Sequence, residues 1–326
     1  MRTARNIVAG NAVTGHPVSH RAPRNTLSRR QLIRGVRDGL ALALMPGGSV
    51  LRAAEAPDPF AALEAASGGR LGVAALDTGT GRTHAHRGDE RFGMCSTFKL
   101  PLAGVILQAA DRGELSLDQR VHYTERDLVP HAPVTSQFLA RGWMTVAELA
   151  EATQTTSDNV AANLLLGLLG GPAGFTERLR RTGDDVTRLD RLEPSMNHVL
   201  PGQLEDTTTP LAMARTTARF AVADALDAPS RERLVGWMVA TNTGLRRLRA
   251  GLPDGWRAGD KTGTGMAEGM PDRYNDVAVA FPPGRAPLVI AAYYESGVRS
   301  ESIRPEDEAV LAAAARIAVA WFDAGA

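Results

Sequence analysis

The chain has 326 residues, 44% hydrophobic and 22% charged, which gives it enough apolar mass for a sizeable core. A formal net charge of +1 gives no reason to expect a nucleic-acid partner or an acidic polymer as substrate. No apolar run reaches the roughly 18 residues of a permanent membrane span, and the single cysteine, Cys95, rules out an intrachain disulfide.

Residues 1–27 are polar and basic, without hydrophobic period. Ser28-Arg29-Arg30-Gln31-Leu32-Ile33-Arg34 then forms a twin-arginine pattern, followed by a short apolar segment over 39–44 and the small residues Ala54-Glu55-Ala56. This order predicts a bacterial signal peptide over 1–56, of twin-arginine (Tat) type and cleaved near Ala56, with a Sec route or a retained anchor as the alternatives. It would deliver the chain to the periplasm or the medium.

The pattern predicts a helix over 60–66, a strand over 71–76 and a hairpin partner over 83–87. His84 and His86 lie on one face of that partner and read as exposed strand histidines rather than metal ligands. Ser96-Thr97-Phe98-Lys99 opens an apolar run of helical spacing that stops near Gly113, with Pro101 tolerated close to the helix start. Residues i and i+3 share a helix face, so the Lys99 amine would stand over the Ser96 hydroxyl. Cys95 beside it reads as a small packing side chain.

Residues 118–133 read as loop, and Thr145-Val146-Ala147-Glu148 as a capping box for a helix to about 154. Ser157-Asp158-Asn159 precedes an apolar helix that ends at Gly170-Gly171, and 175–181 reads as another. Residues 183–208 carry turn formers and little period; so long an irregular stretch in a compact domain is usually functional. Thr209-Pro210 opens a helix to about 225, and another is expected over 231–240. Strands are predicted over 256–262, 277–281 and 288–295, and a last helix over 306–322. Strands at both ends with helices between imply an α/β layer over 57–92 and 243–326, an antiparallel sheet flanked by N- and C-terminal helices, with an all-helical domain inserted at 93–242.

Three further motifs give Ser96 and Lys99 a context. Ser157-Asp158-Asn159 offers a hydroxyl and an amide, Lys261-Thr262-Gly263 ends a predicted strand, and Arg191-Leu192-Glu193-Pro194-Ser195-Met196-Asn197 lies in the irregular stretch. S-x-x-K, S-D-N and K-T-G mark class A β-lactamases and penicillin-binding proteins. The chain resembles a class A serine β-lactamase over residues 57–326, including Pro133-Val134-Thr135 and Asp206-Thr207-Thr208-Thr209-Pro210.

The resemblance implies hydrolysis of β-lactam antibiotics by an enzyme that uses no metal and no organic cofactor, and nothing in the sequence calls for more than a monomer. Ser96 would be the nucleophile, with Lys99 or Glu193 as base for acylation. Lys261 would hold down the proton affinity of Lys99. Ser157 would relay a proton to the leaving nitrogen, and the N–H groups of Ser96 and Thr264 would form the oxyanion hole. Asn159, Thr262, Gly263, Thr264 and His131 would contact substrate. Glu193 and Asn197 would hold the deacylating water. Arg191 and Asp206 would close the omega-type loop over 191–206, and Glu193-Pro194 is a candidate cis bond.

The substrate carboxylate would meet Arg247 in preference to Arg273, which lies in a turn, 266–276, that reads as longer than usual. Gly265 stands where some carbapenem-hydrolysing members carry a cysteine bonded to one at the position of Cys95, so Cys95 alone says nothing about carbapenems. Trp143 occupies a one-residue insertion. The alternatives are a cell-wall carboxypeptidase or transpeptidase, which normally lacks the water site of Glu193 and Asn197, and a β-lactam-binding protein. A Ser-His-Asp esterase has no G-x-S-x-G to support it.

Overall fold

A computed structural model describes residues 58–325; the expected signal peptide lies outside them. Helix α1 (Pro59–Ser67) starts on Asp58, whose carboxylate accepts from the Phe60 N–H, and leads into the hairpin β1 (Arg70–Asp77) and β2 (Thr83–His86). Short strand β3 (Phe92–Gly93) precedes a 3-10 turn, Cys95–Phe98, and helix α2 (Lys99–Asp111). Strands β4 (Arg120–His122) and β5 (Trp143–Thr145) pair with each other. Helices α3 (Val146–Thr155), α4 (Asn159–Leu168) and α5 (Gly171–Arg181) follow. Strand β6 (Thr207–Thr208) pairs with β3, then come α6 (Pro210–Ala221) and α7 (Ala228–Ala240). The chain ends in β7 (Arg257–Gly265), β8 (Arg273–Phe281), β9 (Leu288–Glu295) and α8 (Pro305–Ala324).

The main sheet is antiparallel with five strands in the order β2-β1-β9-β8-β7. Its centre therefore joins the start of the described chain to its end: β1 pairs with β9 from Arg70↔Glu295 to Asp77↔Leu288. Side chains alternate between two cores, as the two-residue period of a strand requires. Leu71, Val73, Ile290, Ala292 and Tyr294 pack under α1 and α8. Ala74, Val289, Ala291 and Tyr293 face the helices of the middle of the chain. Helix α2 runs through that second core, buried on nearly every side from Lys99 to Ala109; a helix apolar all round belongs inside.

Several expectations are corrected. The Ser96 helix begins as a 3-10 turn, and α proper starts at Lys99. Residues 118–133 include β4, whose Arg120 stacks on Trp143 across the pair. Helix α5 starts a turn early at Gly171, where Pro172 fits the first turn. Strand β8 starts at Arg273 rather than 277, so the turn after K-T-G spans only 266–272. His84 and His86 are half-buried rather than exposed: His86 lies 2.8 Å from Glu64 of α1, and His84 lies 3.5 Å from Asp58.

Candidate active site

Ser96 sits in the 3-10 turn, directly after Cys95, whose φ of 46° is left-handed. A side chain there carries backbone strain of about 1–3 kcal/mol, which the surrounding structure must hold in place. The next turn brings the Lys99 Nζ to 3.0 Å from the Ser96 Oγ. Lys99 is fully buried; its ammonium donates to the Ser157 carbonyl at 2.8 Å and to the Asn159 Oδ1, and stands 3.0 Å from the Glu193 Oε1.

Ser157 is also left-handed, with φ 62°. It precedes Asp158, which caps α4 through the Ala161 N–H and accepts from the N–H groups of Val134 and Thr135. Asp158 thus ties the 133–135 segment to the helix start. The Ser157 Oγ lies between the two amines, 3.3 Å from the Lys99 Nζ and 3.1 Å from the Lys261 Nζ.

Lys261 enters from β7, the edge strand of the main sheet. A Cβ on Gly263 would meet the Met94 carbonyl at 2.7 Å and the Ser96 N at 3.1 Å, so the strand can lie against the Ser96 turn only with glycine there. On the same strand the Thr262 hydroxyl is 2.7 Å from that of Thr243, and the Thr264 hydroxyl accepts from the Arg247 Nη2 at 2.7 Å. Arg247 is buried and further held by Glu308 at 3.2 Å and by the carbonyls of Gly263 and Asn275.

Glu193 arrives on the irregular stretch, through a cis bond to Pro194. Its Oε1 is 3.5 Å from the Ser96 Oγ, and its Oε2 accepts from the Asn197 Nδ2. Asn163, which the sequence reading missed, grips the same residue by its backbone: its side chain accepts from the Glu193 N–H at 2.9 Å and donates to the Glu193 carbonyl at 3.0 Å. The signal was there in its i+4 spacing from Asn159, on the same face of α4. At the loop's ends the Asp206 carboxylate, fully buried, takes the Arg191 Nε at 2.6 Å and the N–H groups of Asp190 and Arg191.

These groups meet around a cleft of about 280 Å³. Ser96, Ser157, Asn159, Glu193 and Asn197 line one part of it, and Thr262, Thr264 and Arg247 another, with His131 at the rim. The His131 ring bonds the Thr156 carbonyl at 3.0 Å. Arg273 is not among the lining residues and points away toward the irregular stretch. A Cβ on Gly265 would lie 2.8 Å from the Cys95 Sγ, so Cys95 is left as a buried thiol.

The electrostatics follow from burial. Loss of water pushes the Lys99 ammonium below the usual lysine range, against the pull of the Glu193 carboxylate. Lys261 falls to about 7, first through burial and then through the Lys99 charge. Desolvation is the main cause at both amines, and the repulsion between the two buried charges adds to it. Burial likewise pushes the Cys95 thiol up to about 11, which leaves it a poor nucleophile.

A hydroxyl touched by a buried amine and a carboxylate, beside a second hydroxyl bridged to two amines, is the equipment of a serine hydrolase that works through an acyl-enzyme. The chain belongs to the beta-lactamase enzyme family, whose model matches residues 57–322, and within it to the class A serine enzymes. It is 50% identical over 271 residues to the β-lactamase AST-1 of Nocardia asteroides, covering 83% of this chain and 85% of that one. To the β-lactamase L2 of Stenotrophomonas maltophilia it is 45% identical over 305 residues, covering 90% and 98%. Among solved structures, an ancestral class A β-lactamase superposes with a TM-score of 0.75 at 54% identity, covering 80% of this chain and 98% of that one.

Proposed function

We propose that this enzyme opens the cyclic amide of β-lactam antibiotics by attack of the Ser96 Oγ and releases the product with a water that Glu193 activates, so conferring resistance. The observation that carries this reading is the Glu193 carboxylate, 3.5 Å from the Ser96 Oγ and bonded to the Asn197 amide. An acyl-enzyme that could not activate water would be a trapped protein; a carboxylate held at its backbone by Asn163 is placed to take that proton.

Two groups stand in reach of the Ser96 proton: the Glu193 carboxylate, and the Lys99 amine in its neutral form. The negative charge that develops on the lactam oxygen falls to the N–H groups of Ser96 and Thr264, a contribution worth about 3–4 kcal/mol per donor in comparable sites. Ser157, between Lys99 and Lys261, hands a proton to the departing nitrogen. Asn159 binds the amide of the substrate's side chain, and His131 borders it at the rim. Thr262, Gly263 and Thr264 hold the carboxylate end, with the charges of Lys261 and Arg247 behind them. Arg191 and Asp206 keep the loop closed.

Residues 57–92 and 243–326 form the α/β part and 93–242 the helical part, with the cleft where they meet. Residues 1–56 export the monomer by the Tat or Sec route, to the periplasm or the medium. The substrates are small molecules, and the chemistry needs no metal and no organic cofactor.

Nitrocefin tests the reading: many turnovers per second are expected, whereas slow stoichiometric acylation would make the protein a transpeptidase-like or β-lactam-binding relative. A second result concerns pH. A lysine lowered to about 7 loses its positive charge as pH rises through that value. The kcat/KM for a substrate carrying the carboxylate is therefore expected to fall on the alkaline side. Lys261→Arg, which stays charged, should flatten that limb; an unchanged alkaline limb in the variant would remove Lys261 from carboxylate binding.

A further inference from the structure

We infer that Arg273 is a positioning residue for the release of the acyl-enzyme, acting through the loop that carries Glu193 and Asn197; this rests on the role proposed for those two residues. Arg273 is the first residue of β8, opposite Gly265 on β7 and Glu295 on β9. Its guanidinium is buried, pairs with Glu295 at 3.2 Å, and donates to the carbonyls of Asn197, at 3.4 Å, and Val199. The chain makes room for it: a Cβ on Gly93 would sit 3.2 Å from the guanidinium carbon.

The loop needs such a tie. Its second half spans a cavity of about 420 Å³ instead of resting on the core. Val199 is its one buried apolar side chain; Leu200 is 39% and Leu204 51% exposed, so apolar burial anchors it at a single point, beside the Arg273 bond. The bonds of Gln203 and the bond from Arg191 to the His198 carbonyl stay inside the loop. Among the hydrogen bonds of the described residues, those of Arg273 alone join 197–203 to a residue outside the loop. Asn197 stands at the junction. Its carbonyl is held by Arg273 and its side-chain amide meets the Glu193 carboxylate. A charge-assisted bond to the carbonyl thus fixes the amide that orients the water site.

The role predicts a split in the kinetics. Acylation uses Ser96, Lys99 and the Lys261–Thr264 part of β7, to which the Arg273 guanidinium makes no hydrogen bond; deacylation uses the loop. In Arg273→Gln, kcat and KM for benzylpenicillin should fall together, by about tenfold to 10²-fold. Their ratio should hold near the parent value, and the acyl-enzyme should build up in intact-mass spectra taken at steady state. Arg273→Lys keeps one charged donor and should restore part of the rate; it also carries the test if the glutamine variant does not fold.

Parent-like kcat without accumulation would overturn the proposal, as would a fall in kcat/KM at constant KM. Glu193→Ala run alongside separates the two failures. If that variant stalls as an adduct and the Arg273 variants do not, Arg273 has no part in release. If Glu193→Ala itself turns over freely, the underlying reading of the loop is wrong.

Discussion

Ser96→Ala is expected to give a folded protein that takes no covalent label from penicillin. The replaced hydroxyl makes one short contact, to the Lys99 Nζ at 3.0 Å, and the turn around it is held by backbone and by Thr97, so little stability should be lost. Turnover should drop by about 10⁶, the scale seen when a serine hydrolase loses its nucleophile. Intact-mass spectrometry after incubation with substrate decides it. The informative alternative is a label at Ser157, whose hydroxyl lies within 3.3 Å of the same lysine; that outcome would move the nucleophile across the cleft.

Glu193→Ala should do the opposite to the adduct. Acylation continues through Lys99, release stalls, and kcat falls by about 10²–10⁴, the range for a lost general base. Removing one member of a buried ion pair usually destabilises by about 3–5 kcal/mol. Here the cost should be smaller, because burial already lowers the Lys99 proton affinity and the amine can stay neutral once the carboxylate is gone. Glu193→Gln keeps the shape and the bond to Asn197 and should stall in the same way. Free, fully active protein in either variant would remove the carboxylate from the mechanism.

Much of the site was legible because its residues come in short local patterns. The i, i+3 spacing of Ser96 and Lys99 survives whether the turn is 3-10 or α. The capping box at Thr145 and Glu148 forms with both of its bonds. What stayed hidden depends on distant partners. Strand β8 was read four residues short because Arg273, Asn275 and Asp276 break its apolar pattern; each is buried against polar groups that only the fold supplies. Strands β3 and β6, two residues each, are too short for any period to show. The i+4 spacing from Asn159 puts Asn163 on the site's face of α4, but the loop it grips lies 30 residues away in sequence.

The pairing of β1 with β9 also bears on how the molecule comes into being. Contacts such as Arg70↔Glu295 link positions 225 apart. The edges of β1 and β8 that β9 fills therefore have no partner during synthesis until the last strand has left the ribosome. The helical stretch, by contrast, can begin to pack early, around the apolar α2. A nonsense codon late in the gene, before residue 288, would cost far more than a tail: it would leave β1 with an open edge, ready to stick to other nascent chains.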